Sequence, residues 1–117
     1  MENYEKTKVP EIRSKELLDF VNNLQLDDYM EFSFNGSNFL LVYTTEEDVE
    51  KDGEDAWHHT STAIDGSDIY ILDTLPLEAK KRRLFHEILE CNLADQGFSK
   101  EAHKIAMDEE QKNFGNR

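Results

Sequence analysis

Four residues in the C-terminal part of the chain have the types and spacing of a metal site. His86, Glu87 and Glu90 lie in one helical segment, and His103 lies in a second segment beyond Gly97. Residues four apart on a helix share one face, so His86 and Glu90 can converge on one ion, with Glu87 about 100° round the helix beside them. Two imidazoles and one carboxylate form a ligand set of catalytic zinc sites, which keep a fourth position for water.

For these side chains to meet, the two helical segments must run antiparallel. The loop between them centres on the Gln96–Gly97 pair, and positions equidistant from that centre come level in a helical hairpin. Glu90 is therefore expected to meet His103. Glu110, further along the second helix, is expected level with Arg83 rather than with the histidine of the first helix.

These positions predict a metal centre that carries its own base. We expect His86, Glu90 and His103 to bind zinc and Glu87 to take a proton from metal-bound water. A structural interpretation stays open beside this one, in which His86 is a partly buried, hydrogen-bonded histidine and Glu90 forms an ion pair with His103. An exposed ion pair of that kind contributes only about 0 to 1 kcal/mol, which is a weak reason to place two ionisable groups on facing helices.

The stretch from residue 64 to residue 90 resembles the zincin-like metallopeptidases, particularly the minimal single-domain kind. It contains a short strand, IYILD, then the helix opening TLPLEAKKRR, and then LFHEILE. In that family the motif is HExxH, whose two histidines bind zinc and whose glutamate is the general base. By this resemblance His86 corresponds to the first histidine and Glu87 to the base, while Glu90 stands in the place of the second histidine. The resemblance implies a zinc-dependent hydrolase with peptide or protein substrates.

Two more histidines, His58 and His59, follow Trp57. Successive side chains of a strand point to opposite faces, so at most one of these histidines can face a metal centre from a regular strand. The sequence alone does not decide which of them faces inward.

The spacing of apolar residues predicts three helices. Ser14 and Ser99 are expected to cap the first and the last of them, and Gly97 is expected to end the second. The predicted ranges are about 15–24, 76–95 and 99–113.

About three strands are predicted, at residues 31–34, 38–43 and 69–72. Asn35-Gly36 is a pair favoured in tight hairpin turns, because both central residues need a positive φ. The expected fold is α+β, with a small, mainly antiparallel sheet packed with three helices, the last two forming an antiparallel pair. Residues 1–13 are expected to be a flexible arm and residues 14–117 a single globular domain.

The chain is strongly acidic. It has 26 Asp and Glu against 13 Lys and Arg among its 117 residues, which gives a formal net charge of −13. A field of that sign repels nucleic acid phosphates and anionic membrane surfaces, so direct binding to either is not expected. It suits a cation or a basic protein surface. The alternative function is therefore a non-enzymatic acidic binding or inhibitor protein, which uses the acids from Asp27 to Asp55 to occupy the basic surface of a nucleic-acid-handling partner.

The expected location is the cytoplasm. Cys91 is the single cysteine, so no intrachain disulfide can form. The sequence contains no apolar run of the roughly 18 residues that span a bilayer, and its start has no signal-peptide apolar region.

Overall fold

The computed structural model describes residues 9–47 and 55–115. Within these ranges three helices and four strands are fully described, so the predicted α+β class is confirmed. The helices are α1 (Ser14–Asn23), α2 (Leu77–Asp95) and α3 (Ser99–Phe114), and the strands are β1 (Met30–Phe34), β2 (Ser37–Thr44), β3 (Ala56–Thr60) and β4 (Ser67–Leu72).

The sheet has four strands in the order β1-β2-β4-β3 and is mixed. The strands β1 and β2 pair antiparallel, as do β3 and β4, whereas β2 and β4 pair parallel. The expectation of a mainly antiparallel sheet of about three strands is therefore wrong in its details. The two antiparallel pairs lie side by side through their inner strands, and β3, which forms an edge, was not among the predicted strands.

The predicted turn at Asn35-Gly36 is confirmed. Asn35 has a φ of 51° and Gly36 a φ of 85°, and the flanking residues Phe34 and Ser37 are paired across β1 and β2. Two consecutive residues with positive φ match the twist of the flanking strands, which is why this pair favours a tight hairpin.

The helix ends differ from the prediction by about one residue. Ser14 and Ser99 are the first helical residues rather than the caps, which are Arg13 and Phe98, and neither cap makes a side-chain capping bond. Gly97, with a φ of 99°, ends α2 as predicted. The amide of Gly97 donates to the carbonyl of Ala94, and the amide of Phe98 donates to that of Leu93, which is the Schellman pattern of helix termination.

The core lies between the sheet and the helices, and α2 is its central element. Fully buried side chains come from α1, from the helix-facing side of the sheet and from α2; the largest are Phe39, Phe85, Leu17, Leu41, Ile69, Ile71, Leu84, Ile88, Leu89, Leu93 and Val21. Because α2 contacts α1, α3, β3 and β4, its middle is covered on most sides. Ionisable residues there are consequently drawn into the protein.

Residues 1–8, most of the predicted N-terminal arm, lie outside the described residues. Beyond them the backbone of Glu11 exchanges two hydrogen bonds of 2.7 Å with the Gln96 side chain, and Ile12 packs against the core. Among the described residues, no helix is long and apolar enough to cross a membrane.

Candidate metal centre

The structure brings the three predicted ligands together. Nε2 of His86 lies 3.5 Å from Oε1 of Glu90, and Nδ1 of His103 lies 3.1 Å from Oε2 of Glu90. One ligand atom from each of the three residues falls within 4.8 Å of the others. Ligand atoms that bind one zinc ion at 2.0–2.1 Å in tetrahedral geometry lie about 3.3 Å apart, so the side chains need only small movements to enclose an ion.

The three side chains form a gradient from the interior to the surface. Relative exposure of the side chain is 11% for His86, 20% for Glu90 and 67% for His103. This gradient follows from their elements, because His86 and Glu90 belong to the covered part of α2 while His103 stands on the outer side of α3. The centre is therefore open to solvent on the His103 side, where a water molecule or a substrate can approach.

Glu110 contacts His86, contrary to the expectation that it would be level with Arg83 alone. Oε1 of Glu110 lies 2.9 Å from Nδ1 of His86. The other oxygen accepts a hydrogen bond from Arg82 and lies 3.8 Å from the Arg83 guanidinium. Arg82 and His86 are one turn apart on α2, and the long Glu110 side chain reaches both.

The Glu110 contact fixes the His86 ring. With Nδ1 directed at Glu110, Nε2 is directed at Glu90. A carboxylate that holds the far nitrogen of a metal-binding histidine fixes its tautomer and raises its basicity. This supporting role of Glu110 was missed from the sequence, although Glu110 continues the His103 face of α3 two turns further on.

The charges in this cluster are coupled. Burial works to lower the pKa of His86, but hydrogen bonds to Glu110 and Glu90 outweigh it and raise that pKa to about 9. The hydrogen bond with His86 is the main reason that the pKa of Glu90 is lowered. Burial works to raise the pKa of Glu110, and the bonds to His86 and Arg82 overcome it, so that this pKa is also lowered. The two carboxyl groups are consequently held in the charged form.

Glu87, the predicted base, is buried beside this centre and contacts a residue of the sheet. Its Oε1 lies 2.5 Å from Nδ1 of His58, a histidine that the sequence left unassigned. The register pairs His58 with Ile69 of the core and His59 with Asp68. His58 is therefore the histidine of β3 that faces the helices, while His59 is exposed on the opposite face, next to the Tyr70 ring.

His58 joins Glu87 to the rest of the cluster. Its Nδ1 lies 3.9 Å from Oε1 of Glu90. A hydrogen bond with the Cys91 side chain and a second with Glu87 raise the pKa of His58 to about 10, against the opposing effect of burial. Cys91 itself is buried within the hydrophobic core. The alternation along β3 was the only sequence signal for His58, and its direction could not be read without the register.

Two arginines in the first half of α2, Arg82 and Arg83, pair with acidic residues. Arg83 donates two hydrogen bonds, of 2.9 and 3.2 Å, to the two carboxylate oxygens of Asp55. Asp55 is the last member of the acidic stretch considered for the alternative function. Residues 48–54 of that stretch lie outside the described residues.

No protein-family model matches the chain, and neither a curated protein nor a solved structure is similar to it at a significant level. The chemistry of the cluster is therefore interpreted from its own geometry.

Proposed function

We propose that this protein is a zincin-like metalloprotein and a metal-dependent peptide hydrolase. In this proposal His86, Glu90 and His103 bind one zinc ion, and Glu87 activates the attacking water. The observation that carries the proposal is the convergence of two imidazoles and one carboxylate, from two facing helices, to within 4.8 Å. The spacing of these residues in the sequence predicts the same convergence.

The surroundings of the three residues support a metal rather than a simple ion pair. Glu110 holds the ring nitrogen of His86 that does not face Glu90, as the supporting carboxylate of a metal-bound histidine does. If Glu90 only formed an ion pair with His103, it would not need a second histidine beside it. Nε2 of His86 nevertheless lies 3.5 Å from Oε1 of Glu90. The set leaves room for a fourth, exchangeable position, which catalytic zinc sites require.

Glu87 is the residue of this chain suited to receive the water proton. Zinc, when bound, lowers the pKa of its water to about 7 and polarises a substrate carbonyl. Glu87 adjoins the ligand His86, is buried, and has one of its two oxygens held by His58. When one carboxylate oxygen is already fixed, the side chain loses less conformational entropy as the other oxygen accepts a proton. This favours general base catalysis.

The metal-binding part of the proposal is tested by elemental analysis of the purified, untagged protein after dialysis. We expect at least one tightly bound zinc per chain. The content of tightly bound zinc should fall sharply in His86→Ala and His103→Ala. His59→Ala is the matched control, because this histidine is exposed on the opposite face of the sheet. A metal-free wild type, with no calorimetric zinc binding tighter than millimolar, would leave the cluster a structural one and end the proposal.

A further inference from the structure

A second group of potential metal ligands lies on the side of α2 that faces β3. His58, Glu87 and Glu90 each place one ligand atom within 4.8 Å of the others. None of the sequence patterns singled out this group, because it joins an edge strand to a helix that begins 17 residues after that strand ends. Only Glu90 belongs to both this group and the one in the proposed function.

The Glu90 carboxylate contacts both groups, and its Oε1 lies between a histidine of each. Oε2 lies 3.1 Å from His103, whereas Oε1 lies 3.9 Å from Nδ1 of His58 and 3.5 Å from Nε2 of His86. A carboxylate that lies between two groups of ligands in this way can bridge two cations, through its two oxygens or through one shared oxygen. Two-metal centres of hydrolytic enzymes hold their ions about 3.5–4 Å apart, and a carboxylate can bridge two ions at such a separation.

The charge balance at this position favours a cation. On the sheet side, Glu87 and Glu90 present two carboxylates to the one imidazole of His58, and their side chains are only 9% and 20% exposed. On its other side Glu90 also contacts the two histidines of the first group. Partly buried carboxylates need a paired positive charge or hydrogen-bond donors. Among the residues that the structure describes, His58 is the basic side chain on the sheet side, and a single nitrogen of its ring lies 2.5 Å from one carboxylate and 3.9 Å from the other.

We propose that His58, Glu87 and Glu90 form a second, weaker site for a divalent cation, bridged through Glu90 to the first. One imidazole and two carboxylates suit borderline and hard ions such as Zn²⁺, Co²⁺ and Mn²⁺. The inference shares two residues with the proposed function, the ligand Glu90 and the base Glu87, and its predicted effect on hydrolysis rests on that function.

Three features make this position the weaker of the two. The hydrogen bond between His58 and Glu87 must open from 2.5 Å to the roughly 3.3 Å that separates ligands of one ion. Glu90 is already engaged by the first ion, and two divalent cations so close together repel each other. A second ion also occupies Glu87, so it removes the base and inhibits hydrolysis at high metal concentration.

Zinc binding by the full chain tests this inference. Equilibrium dialysis against rising free zinc, read by elemental analysis, is expected to give two steps in the wild type and a final ratio of two per chain. His58→Ala should lose the second step and keep the first. His59→Ala, altered at the neighbouring histidine, should keep both steps. His58→Phe serves as a second variant should the alanine variant fold poorly, because it keeps an aromatic ring at this position and has no ligand atom.

The outcomes separate this inference from the proposed function. A wild type that saturates at one zinc, lost in His103→Ala and kept in His58→Ala, overturns the second site and leaves the first standing, as does a His58→Ala protein that still binds two. A single zinc that survives in His103→Ala and disappears in His58→Ala supports the second site and overturns the first. A wild type that binds no zinc overturns both.

Discussion

Glu90 is the residue on which the cluster depends, because its carboxylate lies among three histidines. The distances are 3.1 Å to His103, 3.5 Å to His86 and 3.9 Å to His58. Its lowered pKa keeps it ionised at neutral pH, which is the form that binds a metal. Glu87, three residues earlier on α2, has instead one close partner in His58, and this difference predicts different roles.

Substitution by glutamine distinguishes the proposed roles of Glu87 and Glu90. Glu87→Gln keeps the length of the side chain but removes its ability to accept a proton from water. We expect this variant to retain the fold and the tightly bound zinc of the first site, and to lose peptide hydrolysis by a factor on the order of 10² to 10⁴, the usual contribution of a general base. Glu90→Gln removes a charged ligand, so the metal itself should be lost. Metal content and hydrolysis of a peptide library are the two measurements.

Glu90→His is the matched control for this pair, because it restores the HExxH pattern and should preserve zinc binding. The assignment of roles fails if Glu87→Gln loses the zinc of the first site, or if it hydrolyses peptides at the wild-type rate. A wild type without activity on the library, together with no effect of Glu87→Gln on any measured property, would remove the hydrolase interpretation and leave the acidic binding protein.

At the scale of elements, the pairing of α2 with α3 could be predicted because it is local. Gly97 fixes the end of α2 through its positive φ, and the short connection makes the next helix run back along the first. Counting outward from this turn placed Glu90 opposite His103, and the 3.1 Å contact confirms it. Counting outward from the turn did not predict the contact of Glu110 with His86. Such a count compares the positions of backbone atoms along the two helices and ignores the reach of a long side chain.

The position of β3 could not be predicted in the same way. Whether His58 or His59 faces the helices depends on the register of β3 against β4, and a shift by one residue would exchange them. The parallel pairing of β2 with β4 is likewise a contact between distant segments, and no local pattern specifies it. The half of the cluster supplied by the helices was therefore predictable from the sequence, while the half supplied by the sheet was not.

The contact between β3 and α2 predicts how the stability of the metal-free protein depends on pH. His58 has a pKa raised from 6.5 to about 10, and the charged or titratable groups that face it are Glu87, Glu90 and Cys91. A pKa raised by folding means that the protonated form is stabilised in the native state. The contribution of His58 to the free energy of unfolding is complete below about pH 6.5 and is lost as the pH rises to about 10. In the presence of a chelator, the melting temperature should therefore fall over that interval.

Comparison of variants isolates this effect from the other groups that titrate at alkaline pH. His58→Gln should be less stable than the wild type at pH 6.5, and the difference should shrink towards pH 10. His59→Gln should follow the wild-type curve, because this side chain lies on the exposed face. A His58→Gln curve that stays parallel to the wild-type curve would contradict the predicted role of the His58–Glu87 contact.

At the scale of the whole molecule, the net charge of −13 acts in two ways. It attracts cations towards the centre in α2 and α3, and it would also attract a basic protein. The two functions differ in which acids matter, because the proposed centre uses glutamates of the helices, whereas the alternative uses the acids between Asp27 and Asp55. Asp55 is a poor choice for a test, since it pairs with Arg83 and helps to join β3 to α2.

The acidic alternative predicts a partner whose binding depends on salt and on the acidic stretch. Exposed charges are screened beyond about 8 Å at physiological ionic strength, so retention of a basic partner from an extract should fall steeply as salt rises. Replacing Glu47, Glu50 and Asp52 by their amides should reduce retention and leave metal content unchanged. The control removes three charges elsewhere, through Asp19→Asn, Glu78→Gln and Glu101→Gln, all exposed on the helices. If both triple variants retain the partner equally, and less than the wild type does, net charge alone attracts the partner. If the variant of the acidic stretch retains as much partner as the wild type, this stretch is excluded as a binding surface.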